Sequence, residues 1–199
     1  MKPLLLSIVG ALALTSGAAF ADTPVSAVSD LNVRAGPGPQ YPVTGVLKAG
    51  QAATLTGCLD NSKWCTIAEA GGQGWVYSDY VTADFGGTRV VITQRPPDAG
   101  ITVVAPPADI DQYPPSYTSA IVPGEPVEVI DAPPEAVRTY ISENTMEPVY
   151  LEGEVVTGSS LPDDVVLGEI PDYDYRYVYI NGQPALIDPA TRRIVYVVR

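Results

Sequence analysis

The chain of 199 residues contains no histidine, two cysteines, two tryptophans and only 11 basic residues. Without histidine, the usual nucleophile–base pairs of hydrolases are missing, and a zinc site lacks imidazole ligands. We therefore expect no catalytic residue, no metal and no cofactor. The 23 acidic residues give a net charge of −12, which repels nucleic acid and anionic membrane surfaces. These absences favour a binding or structural protein over an enzyme.

Apolar residues are concentrated at the N-terminus. Lys2 precedes an apolar run from Leu4 to Leu14, and Ala19-Phe20-Ala21 fits the pattern of a signal peptidase site. The run is too short to span ~30 Å of hydrocarbon comfortably. Residues 1–21 are therefore predicted to be a cleaved signal peptide, which places the mature chain in the periplasm or outside the cell. No later stretch is long and apolar enough to be a transmembrane segment.

The two cysteines are Cys58 and Cys65. An even number of cysteines in an exported chain indicates a disulfide, and the spacing is not the C-x-x-C of a redox site. We therefore predict a Cys58–Cys65 disulfide between neighbouring strands. In the chain-entropy model so short a loop contributes roughly 2–3 kcal/mol.

Residues 23–83 have the pattern of an all-β domain. Leu31 and Val33 alternate with Asn32 and Arg34, which is the period of a half-buried strand. Glycine, proline and asparagine then interrupt a series of short apolar runs at intervals typical of turns. The pattern predicts a small barrel or sandwich.

A series of short motifs runs in order through this domain. In chain order they are Leu31-Asn32-Val33-Arg34, Gly36-Pro37-Gly38, Tyr41-Pro42, Gly45, Trp64-Cys65, Gly74-Trp75-Val76 and Tyr80-Val81. The series resembles bacterial SH3 domains, small β-barrels that recur in cell-wall and periplasmic proteins. The resemblance implies an SH3-like barrel that binds peptidoglycan, a stem peptide or a protein partner.

Four residues of this domain are candidates for ligand binding: Arg34, Tyr41, Trp64 and Tyr80. If they are exposed, these residues form a cluster that can hold a peptide or a sugar, because aromatic rings beside loops suit such ligands. The favoured interpretation is that the candidate rings close the ends of the barrel. Trp75 is expected to lie in the core.

Residues 84–134 contain ten of the twenty prolines, several of them in Pro-Pro pairs. Proline removes backbone donors and favours extended conformations, so this segment is predicted to be an extended, semi-rigid linker. Apolar triplets such as Val91-Ile92-Thr93 and Thr102-Val103-Val104 are candidates for edge strands that dock on either domain.

Residues 135–199 are predicted to form a small α+β domain. Val137 and Ile141 lie four residues apart on one face of a short helix that starts after Pro134. Strands are expected at residues 148–150, 154–156 and 165–167. Alternating tyrosines at 173–179 then lead to Asn181-Gly182, the preferred dipeptide of a type I′ hairpin, and a three-stranded antiparallel meander follows. We expect the tyrosine face to pack on the helix.

The last sixty residues resemble a family of exported bacterial domains of unknown function. The motifs that carry the resemblance are Leu161-Pro162, Ile170-Pro171, Tyr175-Arg176-Tyr177, Asn181-Gly182 and residues 186–195. The resemblance supports an envelope location and implies no activity.

The leading interpretation is a non-catalytic exported envelope protein, whose SH3-like domain contacts peptidoglycan or an envelope protein. The first alternative is a structural or stress-related envelope protein without a dedicated ligand. A more remote alternative is a carboxylate-based wall hydrolase. Its nearest candidate acids are Asp163, Asp164, Asp172 and Asp174, whose positions beside turns or on a hydrated strand favour solvated loop acids.

Overall fold

The computed structural model describes residues 22–110, 119–124 and 130–199. The predicted signal peptide and parts of the predicted linker, residues 111–118 and 125–129, lie outside these ranges. The described part is mainly β, as predicted, with one helix, α1, at Glu135–Glu143. Its strands are β1 Thr23–Ala27, β2 Leu31–Arg34, β3 Val43–Leu47, β4 Ala52–Leu59, β5 Trp64–Glu69, β6 Gly72–Tyr77, β7 Val81–Phe85, β8 Thr88–Val91, β9 Val103–Val104, β10 Arg176–Ile180, β11 Gln183–Asp188 and β12 Arg193–Val197.

The first eight strands form one antiparallel sheet in the order β3-β2-β6-β5-β4-β1-β7-β8. Non-adjacent strands meet in it, since β2 pairs with β6 and β1 pairs with both β4 and β7. This topology confirms the predicted SH3-like β architecture. Leu31, Leu47, Ile67, Val76 and Val81 are fully buried at its centre, so the apolar positions of the alternating pattern form the core.

The described start of the predicted linker packs against this sheet. Strand β8 pairs with β7, the turn after it buries Ile92, and β9 pairs in parallel with β4. Gly57 permits this approach, because a Cβ there would lie 2.9 Å from the carbonyl oxygen of Thr102. Of the apolar triplets that were candidates for edge strands, Thr102-Val103-Val104 contributes β9, whereas Val91-Ile92-Thr93 ends β8 and continues into a short 3-10 turn. The expectation of an extended spacer is wrong for these residues, because Ile92 is fully buried and Phe85, Ile101 and Val104 pack against the core.

The second unit contains α1 and the predicted meander β10-β11-β12. Asn181 and Gly182 both have positive φ, 51° and 79°, as a type I′ turn requires. The phenol of Tyr179 donates to the carbonyl of Ile141, and that of Tyr177 donates to the carbonyl of Asn144. The predicted packing of the tyrosine face on the helix is thus confirmed.

The three strands expected at 148–150, 154–156 and 165–167 do not form as regular strands. Isolated bridges occur in or beside these segments, between Val149 and Ile180, between Ala120 and Glu152 and between Gly168 and Tyr177. Val155 and Val156 are buried all the same. Their apolar character therefore reflected burial in irregular segments rather than a hydrogen-bonded ladder, a distinction that short apolar runs do not encode.

The two units are in contact. Val156, from the second unit, belongs to the same cluster of buried side chains as the core of the SH3-like sheet. A second cluster lies on one face of the meander, and a third joins α1 to the other face. Within the described residues, no helix is long and apolar enough to cross a membrane.

Candidate functional site at the domain junction

The outward face of β2 is where the two units meet. The sequence pattern places Leu31 and Val33 inward and Asn32 and Arg34 outward, yet all four residues are buried. Asn32 and Arg34 are 0% exposed, and both contact the second unit: Glu154 accepts hydrogen bonds from each, and Gln183 accepts one from Asn32. We call this contact the junction. Strand β2 thus has two buried faces, one in the barrel and one against the second unit.

Arg34 makes a bidentate ion pair with Glu154 across the junction. Its Nε donates to Oε2 at 2.6 Å and its Nη2 donates to Oε1 at 2.7 Å. Its Nη1 donates to the carbonyls of Pro39 and Tyr41 at 2.9 and 2.8 Å. This is the geometry in which a guanidinium binds a carboxylate most strongly. Both side chains are essentially inaccessible to solvent, so the junction is dry.

Glu154 is held by more than the arginine. Its Oε1 also accepts from the Asn32 amide and from the backbone N–H of Val155, both at 2.8 Å. The Asn32 amide in addition donates to Oε1 of Gln183 at 2.7 Å. Hydrogen bonds from both units therefore offset the cost of removing this carboxylate from water.

The hairpin turn of the meander fixes the segment that carries Glu154. The buried side chain of Asn181 accepts from the N–H of Leu151 at 2.8 Å and donates to the carbonyls of Leu151 and Gly153. The Asn181-Gly182 motif therefore does two things. It makes the turn, and it orients residues 151–154 so that the carboxylate of Glu154 reaches Arg34.

Two further contacts extend the junction. The hydroxyls of Tyr80 and Ser159 lie 2.8 Å apart, and Arg199 donates to the carbonyl of Asp30 at 3.0 Å. Burial raises the pKa of Tyr80 above its ordinary value; the hydrogen bond with Ser159 opposes this rise, and the charges of Asp79 and Glu154 add to it. The Tyr80 phenol therefore stays protonated at neutral pH.

The hypothesis of an exposed ligand-binding cluster is wrong about exposure. Arg34 is 0% exposed, Tyr41 2%, Trp64 5% and Tyr80 7%. Arg34 and Tyr80 hydrogen-bond to the second unit, while the Trp64 ring packs edge-on against Tyr77 at 5.3 Å. These polar and aromatic residues therefore serve the contact between the two units and the closure of the barrel. Sequence alone does not distinguish such residues from those of a ligand site. Trp75 is buried, as expected.

The predicted Cys58–Cys65 disulfide is present. Cys58 in β4 lies directly opposite Cys65 in β5, so the bridge closes the turn that joins these two strands. The remaining residues of the hairpin turn, 59–64, border a groove described below.

Two solvent-open grooves flank the contact between the units. The junction groove, about 650 Å³, lies between the loop 39–43 and the turn 181–184. Its lining residues are uncharged prolines, amides, tyrosines and valines with one glycine. The hairpin groove, about 610 Å³, is different because it contains charge. It is lined by Leu59, Asp60, Asn61, Ser62, Lys63, Trp64, Tyr77, Thr93, Arg95, Val103 and Glu152.

The carboxylates considered for hydrolysis do not form a site. Asp163, Asp164, Asp172 and Asp174 are all exposed, and Asp163 pairs with Arg192 at 3.5 Å. Among the described residues, no group of three or more acidic or cysteine side chains is arranged to hold a metal ion. Within the described ranges, Glu154 is the one fully buried carboxylate, and the sequence analysis placed it in a strand without a role.

The comparisons with known proteins agree with this architecture. Residues 29–82 match the family model of the bacterial SH3 domain, and residues 140–199 match a domain of unknown function, DUF1236. A putative N-acetylmuramoyl-L-alanine amidase, YrvJ of Bacillus subtilis strain 168, is 39% identical over 72 residues. That match spans 36% of this chain and 13% of the amidase. No solved structure matches significantly. The chain thus carries a bacterial SH3 domain followed by a DUF1236 domain.

Proposed function

We propose that this chain is a non-catalytic, exported protein of the cell envelope that binds a cell-wall peptide or an envelope protein. The observation that carries the proposal is the bacterial SH3 domain at residues 29–82, a domain of the cell-wall binding type. The disulfide and the signal-like N-terminus are in keeping with export.

The domain arrangement favours binding beside the junction rather than on it. Arg34 and Glu154 already satisfy each other, and a ligand that displaced Glu154 would leave a buried carboxylate unpaired. The two open grooves are bordered by both units and keep their solvent access. The SH3 and DUF1236 domains would therefore act as a single binding body.

A structural role without a dedicated ligand is the second candidate. It is favoured by the burial of all four residues that the sequence suggested for ligand contact. Under this interpretation the SH3 domain serves to anchor its own second domain, and the grooves have no occupant.

Sedimentation with purified peptidoglycan separates these candidates. The mature chain is incubated with wall sacculi, and bound and free protein are compared with an unrelated acidic protein of similar size. Retention above that control supports the binding function. If the chain is retained neither by sacculi nor by proteins of an envelope extract, the structural role replaces it.

The same preparation tests catalysis. The named amidase matches this chain over a small fraction of its own length, so its activity is not carried over to this chain. Soluble muropeptides or stem peptides released from the sacculi by the purified protein would overturn the non-catalytic assignment. The expected result is no release beyond that of sacculi alone.

A further inference from the structure

We infer that the hairpin groove is a binding site for a short peptide that carries both a free carboxylate and a free ammonium group. The inference rests on the proposed function and narrows it to one site and one ligand chemistry. Three separate parts of the chain build this groove: the β4–β5 turn, the docked residues after β8, and Glu152 of the second unit.

Arg95 supplies an unused cation. Its Nη1 donates to the carbonyl of Ile92 at 3.0 Å, which anchors the side chain beside a buried residue. No carboxylate pairs with Arg95 among the described residues, although acidic residues outnumber basic ones by about two to one. Half-buried guanidinium donors that remain free are suited to a ligand carboxylate.

Glu152 and Asp60 supply unused anions on the same groove. Both are exposed, and neither is in an ion pair within the described ranges. The backbone of Glu152 is fixed, because its N–H donates to Ser119 and its carbonyl accepts from Ile121, at 2.9 and 2.8 Å. The remaining cation of the groove, Lys63, is already paired with Asp79 at 2.9 Å. The open charges are thus one cation and two anions.

An apolar wall accompanies these charges. Trp64 and Tyr77 border the groove but are only 5% and 4% exposed, whereas Val103 is 66% exposed. The volume lies within the roughly 300–1,000 Å³ of typical small-ligand sites. Small apolar side chains of a peptide would cover Val103, while the two ends of the peptide would meet Arg95 and the acids.

The rigid frame of the groove supports this assignment. The Cys58–Cys65 disulfide closes the base of the turn, and the Lys63 carbonyl accepts from both the N–H and the hydroxyl of Ser78, at 2.8 and 2.7 Å. A preformed site loses less conformational entropy when it binds a ligand than a mobile loop does. The charged residues therefore stand on an ordered scaffold.

Trialanine and its blocked forms test the inference directly. Isothermal titration of the mature chain compares the free tripeptide with its N-acetylated, C-amidated and doubly blocked forms. We expect the free form to bind best and each block to weaken binding about tenfold, the effect of losing one charged hydrogen-bonded contact. Equal binding of the free and doubly blocked forms, or no binding of either, would overturn the site.

Variants assign each end of the peptide to a residue. Arg95→Gln should weaken binding of the free tripeptide about tenfold and leave binding of the C-amidated form unchanged. Glu152→Gln should likewise weaken binding of the free tripeptide about tenfold and leave binding of the N-acetylated form unchanged. Arg89→Gln and Glu147→Gln change exposed residues that do not line the groove, and serve as matched controls. Controls that weaken binding as much as the groove variants would contradict the assignment.

Sacculi distinguish a wall-bound peptide from a free one and separate this inference from the proposed function. Loss of sedimentation in the Arg95→Gln/Glu152→Gln double variant, with retention in the control variants, identifies the ligand as a wall peptide. If the double variant still sediments with sacculi and trialanine does not bind, the groove assignment fails and the envelope function stands. If the wild type binds trialanine but not sacculi, the site stands for free peptides and the wall-binding function fails.

Discussion

Arg34 and Arg95 place the same guanidinium in two different surroundings. At the junction, Arg34 is fully buried, and a carboxylate and backbone carbonyls accept its hydrogen bonds. In the hairpin groove, Arg95 is partly exposed, and its guanidinium makes one hydrogen bond among the described residues, to the carbonyl of Ile92. A buried charge must be fully paired within the protein, whereas a partly hydrated one can keep donors free. The comparison indicates that the junction holds the fold together and that the groove is available to a ligand.

Glu154→Ala should have the largest effect, because it leaves the Arg34 guanidinium buried without its carboxylate. Removing one partner of a buried pair costs about 3–5 kcal/mol. Urea unfolding followed by circular dichroism measures the loss. Replacing both partners, Arg34→Met with Glu154→Leu, should restore most of the stability, because no unpaired charge then remains. A single variant as stable as the wild type would show that the junction is hydrated rather than dry.

Trp64→Ala should destabilise the SH3 domain by about 3–5 kcal/mol, because the indole is buried although it borders the groove. Trp75→Ala is expected to lose a similar amount. An exposed Trp64, as the ligand-binding hypothesis requires, would be removable without unfolding the domain. Thermal melts of both variants test this prediction. A folded Trp64→Ala variant with a binding defect would show that Trp64 lies at the surface and contacts the ligand.

Reduction of the Cys58–Cys65 bridge should lower stability by roughly 2–3 kcal/mol. The extended linker predicted from the sequence would couple the two domains weakly, so that only the first domain would respond. The junction changes this expectation, since Val156 and Glu154 tie the second unit to the barrel. Calorimetry with and without reductant should show one transition that moves as a whole. Two transitions, of which only one moves, would show that the junction does not couple the units.

Tyr80→Phe should destabilise the chain by about 1 kcal/mol at neutral pH, because the Ser159 hydroxyl loses its partner. Burial raises the Tyr80 pKa above 10.0. The folded chain then holds the phenol proton more tightly than the unfolded chain, so this stabilisation is complete below pH 10 and is lost as the pH rises through the folded-state pKa. The free energy of unfolding, measured from neutral to alkaline pH, should therefore decline less steeply for the variant than for the wild type. Tyr150→Phe is the matched control, and an equal change in its pH profile would contradict the assignment.

Glu152→Gln should have the smallest effect on stability. Glu152 lies two residues before Glu154 but is exposed and has no ion pair within the described ranges. The urea midpoint of the Glu152→Gln variant should match that of the wild type within error, while the midpoint of Glu154→Gln should lie well below both. Equal losses from the two glutamine variants would mean that the difference between the dry junction and the open groove does not govern stability.

The sequence by itself determined the barrel strands, the helix and the C-terminal meander, but not the irregular segments at 148–150, 154–156 and 165–167. Alternating apolar residues, glycine-containing turns and the Asn181-Gly182 dipeptide specified the barrel strands and the meander, because these signals act over a few neighbouring residues. The paired cysteines indicated their own bridge for the same reason, since they lie on adjacent strands. The helix start after Pro134 was equally local.

Only the tertiary structure decided which polar and aromatic residues are surface and which are interface. Arg34 looked like an outward-facing ligand residue because strand periodicity reports the two faces of β2 but not what covers them. Its partner Glu154 is 120 residues away and sits in an irregular segment, so no local pattern joins the two. Arg95 and Glu152 likewise meet at one groove only because the docked linker and the second unit pack around the β4–β5 turn. Local sequence determines which secondary-structure elements form, whereas long-range packing determines which charged side chains are paired and which remain open to a ligand.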